Sequence, residues 1–175
     1  MPSIGGAAAT IVDVSSDNSA IGPAAPWSTI DTVLCDLDGV VWLAHRPIAG
    51  SVEAIAALRA SGRRVMFVTN NSVATRRDHE AALEEIGVRA SGDVVSSAMA
   101  AARLVEPGER VLVAGGPGIV EALEARGALG VANGGSGASE RFDAVVVGLD
   151  RAFDIARLSS ASAAVRAGAR LIGTH

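Results

Sequence analysis

The feature that most limits the fold of this chain is a repeated pairing of a short apolar run with a helix-like segment. Val33-Leu34-Cys35, Val65-Met66-Phe67-Val68, Val111-Leu112-Val113, Ala144–Val147 and Leu171-Ile172 are each too short for a helix and are bounded by turn residues. Such runs read as strands buried in a parallel sheet. Between them, apolar residues recur at helical spacing. Ser51 is placed to cap a helix carrying Val52, Ile55 and Leu58, closed by Gly62. Thr75 with Asp78 has the spacing of a capping box for a helix to Ile86, closed by Gly87. A short strand or turn at Asp93–Ser97 precedes a helix from Ala98 to Val105. Pro107-Gly108 breaks the chain, and the rhythm restarts with helices expected at Ile119–Arg126 and Ile155–Ala167. Alternation of this kind predicts a doubly wound α/β sheet. The expected organisation is a mobile Ala/Gly/Ser/Pro-rich extension over 1–28, a first module over 29–106 and a second over 107–175.

Composition narrows the function. Hydrophobic residues make up 49% of the chain and aromatics only 3%, so the core must be built from Val, Leu, Ile and Ala. Fifteen basic residues against 19 acidic ones leave a net charge of −4, the wrong sign for a nucleic-acid groove. All the basic residues are Arg. The single cysteine, Cys35, allows no internal disulfide and fits a reducing cytoplasm. It reads as a small core residue. No apolar stretch reaches the ~18 residues of a membrane span, and no basic segment precedes the N-terminal Ala/Gly region as in a signal peptide.

The chemistry concentrates at Asp36-Leu37-Asp38-Gly39. Two carboxylates sit two residues apart where a strand meets a glycine turn. At the carboxyl edge of an open α/β sheet such residues face the binding crevice. Carboxylates this close need a shared proton or a cation, and Mg²⁺, a hard ion that takes oxygen ligands, fits. Gly39 lets the backbone turn its N–H groups toward an anion. A second signal is Thr69-Asn70-Asn71-Ser72, again between a strand and a helix, where a hydroxyl, an amide and backbone N–H groups could hold phosphate oxygens.

Asp36-Leu37-Asp38-Gly39-Val40-Val41-Trp42 followed by Val68-Thr69-Asn70-Asn71-Ser72 resembles the first two motifs of the haloacid dehalogenase superfamily. The likeness is narrower to the branch of NagD-like, 4-nitrophenyl phosphate and phosphoglycolate phosphatases. Pro47–Gly50, Val94–Ala98 and Val147–Asp150 also match that branch. The resemblance implies a Rossmann-like core, represented here by its N-terminal part, with an inserted and incomplete α/β cap of the C2 type. It implies phosphomonoester hydrolysis of a small phosphorylated metabolite through an aspartyl-phosphate, in the cytoplasm, with no nucleic-acid or membrane partner. It also allows a homodimer through the cap. Asp36 would be the nucleophile and Asp38 the acid/base, both holding Mg²⁺. Leu37, Gly39, Thr69, Asn70 and Asn71 would line the phosphate and substrate.

The chain departs from that pattern as well. The family carries a later Lys and a pair of acids, whereas this sequence has no Lys and closes at Thr174-His175. The sequence reading is therefore of a C-terminally truncated relative, with apolar sheet faces uncovered and a tendency to aggregate. Asp150 and Asp154 have the spacing of the missing acids, but Asp154 reads as a helix cap. His79, in a charged helix, reads as solvated. Two other readings stay open: a non-catalytic phosphate-binding fragment, and a dinucleotide site at Gly115-Gly116-Pro117-Gly118. The last lacks the full glycine spacing, and Pro117 removes a donor.

Overall fold

The structure, a computed structural model, describes residues 27–134 and 140–174. Contacts divide the chain into residues 1–30 and 31–175. Of the first unit, the 3₁₀ turn Trp27–Thr29 is described. The N-terminal extension expected over 1–28 otherwise lies outside the described residues, as does most of the glycine-rich loop at 133–137.

In chain order the second unit runs β1 (Thr32–Asp36), β2 (Trp42–Leu43), β3 (Arg46–Pro47), α1 (Ser51–Ala60), β4 (Arg64–Thr69), α2 (Arg76–Glu85), β5 (Val94–Ser96) and α3 (Ser97–Ala102). It continues with β6 (Arg110–Ala114), α4 (Pro117–Ala125), β7 (Leu129–Ala132), β8 (Ala144–Val147), α5 (Ile155–Arg166) and β9 (Arg170–Gly173). Two parallel sheets result. The first has the order β1-β4-β5, the second β7-β6-β8-β9. Strands β2 and β3 form a small antiparallel hairpin whose turn residues, Ala44 and His45, both have positive φ. The α/β class with parallel sheets is the one expected from the alternating pattern.

Local signals explain several boundaries. Thr75 and Asp78 form the capping box that starts α2. Asp154 caps α5 by accepting a hydrogen bond from the Arg157 N–H. Pro117 stands at the first position of α4, where its missing N–H costs nothing. Ser51 does not cap α1 as expected. The cap position is Gly50, at φ 83°, and the Ser51 hydroxyl instead donates to the Val41 carbonyl at 2.9 Å. That bond ties the start of α1 to the segment following β1.

The two sheets are covered differently. In the first, Val65, Phe67 and Val94 pack with Ile55 of α1 and Leu83 of α2 in one cluster. The opposite face, with Leu34, Met66 and Val68, is more open, and Leu34 is 53% exposed. β1 is thus not the fully buried strand its apolar run suggests: it lies at the sheet edge, covered on one side. The second sheet is covered on both faces. Val111, Val113, Ala144, Val146 and Ile172 pack on α3 and α4. Leu112 and Val145 pack on Ala164 of α5. Although α3 follows β5 directly, its Ala98, Ala101 and Ala102 belong to the second sheet's core. The packing therefore changes sheet ahead of Pro107-Gly108, where the sequence changes rhythm.

Candidate active site

β1 and β4 are parallel neighbours in the register Asp36↔Val68, so the Asp36 end of β1 and the Thr69 end of β4 meet at one carboxyl edge. This edge brings the two sequence signals together. Asp36 is exposed, and its Oδ1 accepts the Leu37 N–H at 2.8 Å. Asp38 is also exposed, and its Oδ1 accepts from the Trp42 indole Nε1 at 3.0 Å. Trp42 itself is 1% exposed, so a rigid core side chain fixes one oxygen of Asp38. Nothing in the sequence reading gave Trp42 this part. The available signal was an aromatic four residues beyond a polar carboxylate.

Leu37 and Gly39 behave differently from expectation. The Leu37 side chain is fully buried, and its N–H is spent on Asp36. Gly39 takes the left-handed conformation, at φ 85°, that the tight turn requires. Its N–H, however, donates to the Trp42 carbonyl at 2.8 Å. Both amides close the turn on itself, so holding an anion would require exchanging those bonds.

The second loop is held by its own side chains. Thr69 is buried, and its hydroxyl accepts the Asn71 N–H at 3.1 Å. Asn71 Oδ1 accepts the Val73 N–H at 2.9 Å, the local turn that Asn favours. Asn70 is exposed, and its carbonyl accepts the Ser97 hydroxyl at 2.8 Å. Behind the loop lies His79, which is 3% exposed and not solvated as its charged helix suggested. Its Nε2 stands 3.4 Å from the Asn71 carbonyl. Burial lowers the His79 pKa, against smaller raising effects from the Asn71 carbonyl, Asp38 and Asp78 and a small lowering one from His45. A neutral ring that donates to Asn71 follows.

The loop is also stitched to the second sheet. A Cβ on Gly118 would lie 2.1 Å from the Ala74 carbonyl oxygen, and one on Gly116 2.5 Å from Val73 Cα. The Gly118 N–H donates to the Val73 carbonyl at 3.0 Å, satisfying a free donor of the first turn of α4. The Arg76 N–H donates to the Glu121 carboxylate at 2.6 Å, and Thr174 Oγ1 lies 3.1 Å from the buried Ser72 Oγ. The glycines of 115–118 thus allow close packing, and the space a dinucleotide phosphate would need over Gly116 and Gly118 is filled by Val73 and Ala74. Where the two parts meet, Asn70, Asn71, Ser72, Val73, Leu149 and Arg151 line a cleft of about 240 Å³.

Asp150 and Asp154 do not form a second acidic pair. Asp150 accepts the Ala152 N–H and pairs with Arg157 at 3.1 Å, while Asp154 caps α5. Among the described residues, no three acidic, His or Cys side chains gather as a metal cage. What Asp36 and Asp38 offer is a pair of hard oxygen donors on one turn. That suits Mg²⁺, which binds through one or two carboxylates and keeps waters or substrate phosphate for its other positions. Among the described residues, no helix is long and apolar enough to cross a membrane.

The chain that folds into these two sheets has counterparts among known proteins. The family model described as haloacid dehalogenase-like hydrolase matches residues 33–128, and the chain belongs to that family. It is 38% identical over 150 residues to D-glycerol 3-phosphate phosphatase of Mycobacterium tuberculosis, covering 83% of this chain and 40% of that protein. It is 37% identical over 147 residues to human chronophin, covering 77% and 49%. Among solved structures, glycerol phosphate phosphatase from M. tuberculosis in complex with magnesium matches with a TM-score of 0.74 at 34% identity, covering 83% of this chain and 44% of that one. The chain spans about half the length of the curated relatives it matches.

Proposed function

We propose that this chain carries the nucleophile half of a Mg²⁺-dependent phosphomonoester hydrolase acting on a small phosphorylated metabolite. The observation that carries the reading is the meeting of Asp36, Asp38 and Thr69 at one carboxyl edge, with Asp38 held by Trp42. Relatives named as phosphatases of glycerol 3-phosphate and phosphoglycolate, and a magnesium-bound relative, support it. Residues 107–175 are read as the cap of the family's fold, in a protein of a reducing cytoplasm.

In this reading the Asp36 carboxylate attacks the phosphorus and the ester P–O bond breaks, giving an aspartyl-phosphate. The Asp38 carboxyl gives its proton to the leaving oxygen. It then takes a proton from the water that hydrolyses the aspartyl-phosphate. Trp42 Nε1 holds one Asp38 oxygen and leaves the other to carry the proton. The Thr69 hydroxyl, which accepts the Asn71 N–H and keeps its own proton to donate, and the exposed Asn70 receive the phosphoryl oxygens. Mg²⁺, held by the Asp36 carboxylate and the Asp38 backbone carbonyl, would supply positive charge beside the transferring group.

The test is Mg²⁺-dependent release of 4-nitrophenolate from 4-nitrophenyl phosphate by the purified chain, beside Asp36→Asn. The expected result is turnover that falls by about three orders of magnitude or more in the variant, the scale of losing a nucleophile. Turnover that survives the substitution overturns the role of Asp36. A folded chain that binds phosphate without turnover fits the second reading, a phosphate-binding module.

A further inference from the structure

The cleft between the Asn70–Val73 loop and the second sheet is lined by one charged side chain, Arg151, with Leu149 beside it. Arg is permanently charged and prefers a partner, so the acids near it matter. The two closest in sequence are both engaged. Asp150 is bound by Arg157 Nη1 at 3.1 Å and by the Ala152 N–H at 2.9 Å. Asp154 accepts the Arg157 N–H at 2.7 Å as the cap of α5. Among the described residues, no ion pair includes Arg151. Arg157, by contrast, is fully committed: its guanidinium holds Asp150 and its carbonyl accepts Asn133 Nδ2 at 2.8 Å. The arrangement clamps the Asp150 turn and leaves one guanidinium at the mouth of the cleft.

Asn70 and Asn71, which follow Thr69 directly, share this cleft with Leu149 and Arg151, so a substrate whose phosphoryl group sits at Asp36 and Thr69 has the cleft next to it for its tail. Among the described residues, no acidic side chain lines the cleft. A cationic tail would meet Arg151 unfavourably, and a neutral tail would leave it unused. A carboxylate matches the planar fork of the guanidinium in shape and charge. We propose that Arg151 receives a carboxylate on the substrate's tail, so that the preferred substrates are small phosphomonoesters with a second anionic end. This inference rests on the reading of Asp36 and Thr69 as the phosphoryl site.

The test is binding, so it does not depend on turnover. Amide shifts of the Thr69–Val73 loop are followed in the presence of Mg²⁺ with inorganic phosphate, ethylphosphonate and phosphonoacetate. The last two share a phosphonate and differ in the tail, which is neutral in one and a carboxylate in the other. The expected result is about tenfold tighter binding of phosphonoacetate than of ethylphosphonate, a difference of about 1.4 kcal/mol. Arg151→Gln should bring that ratio to about one and leave inorganic phosphate unchanged. Arg151 is exposed and unpaired, so the variant should melt like the parent. Equal affinities for the two phosphonates in the parent, or a ratio that persists in Arg151→Gln, overturn the inference and leave the phosphate site standing. Inorganic phosphate weakened as much as phosphonoacetate would mean that Arg151 holds the phosphoryl group itself, which also overturns it. No shift of the loop with any of the three ligands would remove the phosphoryl site and the inference with it.

Discussion

The two sheets draw on the same small vocabulary of Val, Leu, Ile and Ala, yet they end up doing different work. The second has helices on both faces, and its strands β6 and β8 each carry three consecutive buried residues. The first has both its helices against one face and leaves Leu34 half in solvent. The sheet with the poorer cover carries the carboxylates. A parallel sheet gains most of its stability from two-sided burial. The second sheet is therefore expected to be the more stable body, and the site depends on what leans on it.

Truncating matched leucines gives the largest effect. Leu123, fully buried between α4 and the second sheet, should cost about 3 kcal/mol as Leu123→Ala, the usual scale for a core Leu. Leu34→Ala should cost under about 0.5 kcal/mol, because its side chain is already 53% exposed. Urea unfolding of both variants measures the gap, and equal costs would mean that the two sheets are equally well covered.

The seam between the parts gives the next effect. Gly118→Ala places a methyl 2.1 Å from the Ala74 carbonyl, and a backbone neighbour cannot swing aside. Removing a helical glycine would by itself stabilise α4 by up to about 1 kcal/mol. The clash, at about 1–3 kcal/mol, should outweigh that gain. Faster amide hydrogen exchange across Thr69–Ala74, with β6 and β8 still protected, would show that the loop was held by the second sheet. Unchanged exchange would show that its own turns suffice.

The smallest effect is a pH dependence confined to the first part. Burial holds the folded pKa of His79 below its unfolded value of about 6.5. On acidification below about pH 6.5 the unfolded chain takes up this proton before the folded one does. Stability is therefore full above that pH and declines as pH falls toward the folded pKa. His79→Gln should remove that part of the decline, seen by comparing urea midpoints of the two proteins between neutral and mildly acidic pH. Parallel pH profiles would mean that His79 ionises as freely in the folded protein as in the unfolded chain.

What was legible in the sequence divides along the same line. Features set by neighbours three or four residues away were readable: the Thr75–Asp78 box, Asp154 as a cap rather than a metal ligand, and the alternation that gives the α/β class. For the candidate site, what was legible is position: β1 ends at Asp36, two residues before Asp38, and β4 ends at Thr69, as the apolar runs and the turn residues after them indicate. Features set by distant residues were not. Ser51 bonds Val41 rather than capping its own helix, and His79 is buried because the Asn71 turn folds back over it. A charged segment gives no sign of that. Nor do the glycines at 116 and 118 say what will fill the space they leave, which turned out to be the loop itself.

The hydrogen bond between Thr174 and Ser72 spans 102 positions of the chain, and the Gly118–Val73 bond joins separate elements. Loops of that length close slowly relative to local helices and turns. The Asp36 turn closes through Leu37, Gly39 and Trp42, all near neighbours in the chain, and its hydrogen bonds can form early. The Thr-Asn loop acquires its last ties only once β9 is in place. During synthesis the Asp36–Asp38 turn would thus be in position well before the Thr-Asn loop is secured, and the growing chain passes through a stage in which one wall of the crevice is built and the other is still loose.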